Sequence, residues 1–367
     1  MMKKKTGILF ICCLLAIVIC LLLSACDADP GNQDGVSSTP DVSPGESAEA
    51  TGEYQPMTEE PTMPPDDETA TEEESMTEEV TTEEFTTEEI TTEEVNTEAI
   101  TQVPEGGEGH GIVRDGTPKK YFTLRFDDGI TQDERIIEIL KKYNAYCCTF
   151  YMNTGMYGVN WPQVGQQAGR PDVPHLRYTK EQILSGIYDG FDVECHSLNH
   201  RGLNNLTEQE VTQELLGDAQ NIQELFGYKP VGVAWPGGDK NLNDQVIETV
   251  LATTDIRYGS CTNRNTNKGL DRFALPEYFM TWYPTCSIND SDAMYLLRKF
   301  IATDCKEDML FLMWGHGYEL DIANSWDQFE EYIKMITEAA AKDDSIVLVT
   351  NAEFYQLFKD EIPSWKE

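Results

Sequence analysis

Six short apolar runs, each closed by a polar or turn-forming cluster, are spaced along residues 118–367 with amphipathic stretches between them, and this alternation is what most limits the fold. Tyr121–Phe126, Tyr146–Met152, Phe191–Cys195, Val231–Ala234, Met309–Met313 and Ile346–Val349 are too short for buried helices and read as strands. The stretches Asp133–Tyr143, Thr179–Tyr188, Thr207–Phe226, Asp244–Ala252, Ser291–Ile301, Trp326–Ala341 and Asn351–Phe358 carry apolar residues at helical spacing. Two of these helices open on capping boxes, Thr179 with Gln182 and Thr207 with Glu210. Strands joined through helices run parallel, and polar chemistry then gathers at their carboxyl ends. The expected class is therefore α/β, in one domain large enough to bury a core.

The rest of the chain cannot build such a core. Of the formal charge of −38, residues 27–117 hold 27 acids against one arginine, whereas residues 1–26 hold three lysines and no acid. Thr, Glu, Pro, Gly and Ser dominate residues 27–117, and Val80, Phe85, Ile90 and Val95 recur inside Thr-Thr-Glu-Glu units at a five-residue period that fits neither helix nor strand. This stretch is expected to be a disordered acidic stalk, spanning roughly 50 Å as a coil and roughly 300 Å at full extension; its threonines are also candidate sugar acceptors. Acid in such excess argues against nucleic acid as a partner. Residues 1–26 join Lys3-Lys4-Lys5 to an apolar run as far as Leu23. Leu23-Ser24-Ala25-Cys26 resembles the bacterial lipoprotein processing box, which implies a signal peptide, lipidation of Cys26 and anchoring of the mature protein to the outer face of the cytoplasmic membrane; an uncleaved signal anchor is the alternative.

The first strand ends in Phe126-Asp127-Asp128-Gly129, and two adjacent carboxylates at a strand end do not serve packing. With a cation beside them, one can bind it while the other acts as a base. The third strand runs into His196-Ser197-Leu198-Asn199-His200, whose four-residue spacing brings both imidazoles to one point if the segment takes a helical turn. Two imidazoles and a carboxylate with an open position form a familiar hydrolytic zinc set. His316 follows the strand Met309–Met313, a position suited to a proton donor. His110 and His175 receive no role. Residues 153–178, rich in Gly, Pro, Trp and Tyr, are too long for a plain connector and are expected to wall or cover a groove.

Phe126-Asp127-Asp128-Gly129, His196-x-x-x-His200, Pro236-Gly237 after a short strand, and the late His316 follow the order of the polysaccharide deacetylase family, the NodB-homology or carbohydrate esterase family 4 domain, and residues 118–367 resemble it throughout. The resemblance implies a distorted (β/α) barrel with a divalent metal, usually zinc, that removes acetyl groups from N- or O-acetylated sugars. It implies Asp127 as general base, Asp128, His196 and His200 as metal ligands, and His316 as general acid. Its substrates would be acetylated polysaccharides such as peptidoglycan, chitin-like or xylan-like polymers, met by a monomer.

Where the family often has Arg-x-Pro-Tyr, this chain has Ala234-Trp235-Pro236-Gly237-Gly238. The arginine that would pair with the catalytic aspartate is missing, which leaves Asp127 to other donors, with Arg125 and Arg272 as candidates. Gly237 still offers a backbone N–H to an oxyanion. Trp235 and Tyr318, with Tyr151, Tyr157, Trp161, Trp282 and Trp314, are candidates either for stacking on sugar rings or for the core. The missing arginine keeps a catalytically weakened, glycan-binding surface protein as one alternative, and a metal hydrolase of cyclic amides is another. The six cysteines from Cys147 to Cys305 suit buried free thiols better than disulfides, and alternation turns Cys195 away from His196 into the core.

Overall fold

The computed structural model describes residues 112–264 and 272–366. The leader with its Cys26, and the acidic stretch up to residue 111 with His110, lie outside the described residues.

Among the described residues eight strands pair, all in parallel, in one sheet: β1 (Lys120–Phe126), β2 (Cys148–Met152), β3 (Asp192–Cys195), β4 (Gly232–Ala234), β5 (Tyr258–Ser260), β6 (Cys286–Ser287), β7 (Met309–Gly315) and β8 (Ile346–Leu348). The order is β5-β4-β3-β2-β1-β7-β6. β7 pairs with β1 along its whole length, while β8 takes the first residues of β1 and β2 the last. Residues 282–287 close the ring into a distorted (β/α) barrel. At one end Trp282 N–H donates to Gly259 O at 2.9 Å, and at the other Thr285 N–H donates to Leu312 O at 2.8 Å.

Period-two alternation sorts β1 between two cores. Phe122, Leu124 and Phe126 face the outer helices, packing with Ile136 and Leu140 of α1 (Asp133–Lys142) and with Phe329 and Ile333 further along the chain. Tyr121 packs with Tyr151, Tyr258, Trp282, Leu310 and Phe354 in a second, aromatic-rich cluster. Thr123 bonds Asn351 from that same face, and Arg125 lies over the Tyr151 and Trp314 rings. Burying these clusters contributes most of the stability, at about 25 cal/mol per Å² of apolar surface.

The remaining helices are α2 (Pro162–Gln167), α3 (Lys180–Leu184), α4 (Glu208–Phe226), α5 (Asp244–Thr253), α6 (Ala293–Ala302), α7 (Gly317–Ala323), α8 (Trp326–Ala340) and α9 (Asn351–Phe358). Both capping boxes form at Thr179 and Thr207. α3 stops short of Tyr188 because Gly186, at φ +90°, turns the chain into the left-handed region. The packed body also begins before Pro118: Ile112 lies against the aromatic cluster, and Arg114 sits 4.1 Å over Phe358 while pairing with Asp308 at 2.7 Å. All six described cysteines are free, and Cys195 is in the outer core, where burial pushes its thiol well above the ordinary range.

Candidate metal and catalytic site

The site stands at the carboxyl end of β1. Gly129 follows the two aspartates at φ +63°, and a side chain there would bring its Cβ 2.8 Å from that of Met152, so the turn requires glycine. Asp128 itself is left-handed at φ +82°. This reversal sends the two carboxylates into different surroundings.

Asp127 points to the inner face, as does Arg125 two residues earlier on the strand. Arg125 Nε donates to Asp127 Oδ1 at 2.7 Å, and its terminal Nη2 donates to Oδ2. The other terminal nitrogen donates to Ser260 Oγ at 2.7 Å and to Cys261 O at 2.8 Å, which fixes the guanidinium from β5. Burial lowers the pKa of Arg125, but the Asp127 charge and hydrogen bonds more than offset it, so the guanidinium stays protonated. Of the two candidate donors to Asp127, Arg125 on β1 is the one that pairs with it. Arg272, the other candidate, is exposed and pairs with Asp292.

Asp128 Oδ1 lies 3.7 Å from Nε2 of His196 and 3.7 Å from Nε2 of His200. The three ligand atoms fall within 4.8 Å of one another. Two ligands each about 2.1 Å from a tetrahedral cation are about 3.4 Å apart, so both Asp128–histidine distances are within a few tenths of an ångström of that spacing. His196 Nδ1 lies 2.7 Å from Ala234 O; a carbonyl only accepts, so the ring proton sits on Nδ1 and Nε2 presents its lone pair to the site. These donors fit a divalent cation. The approach of the two imidazoles does not use a helical turn: residues 196–200 form a bend in which Ser197 and His200 are left-handed, at φ +62° and +54°. Asp218 of α4 anchors that bend by accepting from His196 N–H at 2.9 Å.

His175, which sequence reasoning left without a role, reaches Asp128 as well. Its Nε2 lies 2.7 Å from Asp128 Oδ2, and Arg177 donates to Oδ1 at 2.8 Å. Both come from the 153–178 loop, which contains α2 and is pinned to the Asp-Asp-Gly turn by the Ile130–Arg177 bridge and by Tyr178 N–H to Gly129 O at 3.1 Å. Burial raises the pKa of Asp128, but Arg177 and His175 outweigh it and hold the carboxyl well below the usual range. Burial lowers the pKa of His175 in spite of the Asp128 charge and hydrogen bond beside it. The loop expected to wall a groove thus places two side chains on the Asp128 carboxylate.

His316 caps α7, with Nε2 3.8 Å from Asp128 Oδ2 and Nδ1 3.3 Å from Glu319 Oε1. Tyr318 stacks on it at 5.0 Å and meets His175 edge-on at 4.9 Å, so it lines the site. Gly237 is half-buried in the turn after β4, at φ +64°. Trp235 is placed as a core residue: 1% exposed, its indole N–H donates to Met280 O at 2.9 Å and its ring packs on Gly259. A sugar ring cannot stack on a face so enclosed, which removes Trp235 from the candidate contacts. Asp127, Asp128, His196 and His316 are each 3% exposed or less, so their charges act in a medium of low dielectric.

The polysaccharide deacetylase family model matches residues 114–258. The peptidoglycan-N-acetylmuramic acid deacetylase PdaC of Bacillus subtilis (strain 168) is 23% identical over 159 residues, which is 42% of this chain and 29% of that protein. A second protein of that organism named for polysaccharide deacetylation, YxkH, is 26% identical over 132 residues, 35% of this chain and 42% of its own. This chain thus spans less than half the length of these curated relatives. Among solved structures, the Xyl-CE4 domain of a multidomain xylanase from the hindgut metagenome of Trinervitermes trinervoides aligns with a TM-score of 0.39 at 16% identity, over 68% of this chain and 95% of that one. Over residues 114–258 this chain is thus similar to the polysaccharide deacetylases.

Proposed function

We propose that this chain is a metal-dependent hydrolase that removes acetyl groups from N- or O-acetylated cell-wall or extracellular polysaccharide. The observation that carries the reading is the placement of Asp128 Oδ1 at 3.7 Å from both His196 Nε2 and His200 Nε2, next to an Asp127 gripped by Arg125. Asp128, His196 and His200 would hold the divalent cation, with zinc the expected one for two imidazoles and a carboxylate. When bound, such a cation polarises the acetyl carbonyl and makes water acidic enough to be deprotonated near neutral pH.

Asp127 takes the proton of the attacking water, and Arg125 aims the carboxylate for that transfer. His316, oriented by Glu319, returns a proton to the departing amine or alcohol. The N–H of Gly237 donates to the developing oxyanion, and Tyr318 offers a ring to the sugar. The relative named as a peptidoglycan-N-acetylmuramic acid deacetylase makes peptidoglycan the first substrate to try. The leader, with Cys26 as lipid attachment site and residues 27–111 as tether, would hold the body outside the cytoplasmic membrane, within reach of such a polymer.

Acetate release from peptidoglycan, chitin oligomers and acetylated xylan, before and after chelation, tests the proposal. Release that stops on chelation and returns with zinc is the expected result. No release from any of the three, or release indifferent to chelation, would contradict it.

A further inference from the structure

His175 is not one of the three residues of the metal cluster, yet it makes a short contact with the carboxylate that belongs to it. An ionised carboxylate only accepts, so the His175 proton is on Nε2 and points at Asp128 Oδ2. The other ring nitrogen, Nδ1, is buried with no hydrogen-bond partner among the described residues. Burying a bare ring nitrogen is costly, and a phenyl ring would fill the same space without that cost. What the imidazole adds over phenyl is the N–H on Asp128. Its plane is held for that purpose, stacked on Trp161 at 5.4 Å and 7°.

The two oxygens of Asp128 are divided. Oδ1 faces His196 and His200, and Oδ2 faces His175. Arg177 ties this arrangement to the other half of the cluster. It spans Asp128 Oδ1 and Asn153 Oδ1, and Asn153 Nδ2 in turn donates to the carbonyls of His196 at 2.6 Å and Ser197 at 3.0 Å.

We propose that His175 is a positioning residue for the metal ligand Asp128, occupying Oδ2 so that the carboxylate meets the cation through Oδ1 alone. The inference rests on the metal reading above and deepens it. Outer hydrogen bonds of this kind orient ligating carboxylates and set metal affinity. The loop of residues 153–178 is then part of the metal site as well as a cover over it.

Cobalt titration of the full chain, followed by visible absorption, tests this without reference to turnover. His175→Phe keeps a ring against Trp161 and deletes the N–H, while His175→Gln keeps a donor. His175→Phe is expected to lose about 10–100-fold in cobalt affinity and to shift the absorption bands, with His175→Gln within about threefold of the parent. Parent-like affinity and spectrum in His175→Phe would overturn the proposal, as would an equal loss in both variants. If the parent chain itself takes up no cobalt, the metal reading falls first. Should His175→Phe fail to fold, the zinc-bound parent structure decides: His175 Nε2 against Oδ2 of a carboxylate bound through Oδ1 supports the assignment, and a carboxylate ligating through both oxygens, or a displaced His175, overturns it.

Discussion

Arg125 and Asp127 form a buried ion pair within one strand, and it shows how a single alternation rule carries chemistry. Residues two apart on a strand share a face, so an arginine in the first motif is positioned to hold its own aspartate. This relation was available in the sequence, where Arg125 stood among the candidates. Arg125→Lys keeps the charge but not the fork. We expect it to remain folded and to lose about 100-fold in kcat with KM little changed, since a small displacement of a catalytic group costs that much; parent-like kcat would contradict the positioning role. Trp235 gives the opposite lesson, because an aromatic beside a motif is indistinguishable in sequence from one in the core. Trp235→Ala should cost about 3–5 kcal/mol in urea unfolding, as for other large core deletions. A loss below about 1 kcal/mol would place the ring elsewhere.

Asp218 adds a pH dependence. Burial pushes its carboxyl up to about 7 in spite of hydrogen bonds from Thr154 and His196. An unfolded aspartate titrates near 3.9, so between about pH 4 and pH 7 the folded chain holds a proton that the unfolded chain has released. Its contribution to stability therefore declines as pH rises through that window, by up to about 1.4 kcal/mol per unit, and is constant above it. The difference in unfolding free energy between the parent and Asp218→Asn should follow this slope; a difference independent of pH would contradict it.

At the scale of elements, the long apolar strands and the boxed helices were legible because each carries its own local signal. The strand β5 was not, since Tyr258-Gly259-Ser260 has neither length nor apolar continuity and pairs only because Val233 and Trp282 flank it. α7 was hidden by an opening glycine directly after His316. The meeting of His196 with His200 was foreseen, but its geometry was not. Two left-handed residues make a bend where spacing alone suggested a helical turn, and left-handed serine and histidine have no sequence signature. His175 and Arg177 were beyond reach for a related reason. Their partner Asp128 is nearly fifty residues away, and only the path of the 153–178 loop over the turn at Gly129 brings them together.

For the whole molecule, barrel closure depends on one segment, residues 282–287, bridging β5 and β7. The body is also clasped from its amino-terminal side, where Arg114 joins Asp308 and Glu361. Relative to a chain starting at residue 112, one starting at 118 should lose about 1–2 kcal/mol with Arg114 and Ile112 removed. Equal melting of the two truncations would show that the clasp contributes nothing. The central claim, that three side chains converge on one cation with Asp127 beside it as base, is tested most directly by metal analysis of the purified chain and its variants. The account predicts about one equivalent of divalent metal in the parent and in Asp127→Asn, the latter without turnover, and almost none in Asp128→Asn or His196→Ala. Full metal content in Asp128→Asn, or none in the parent, would contradict it.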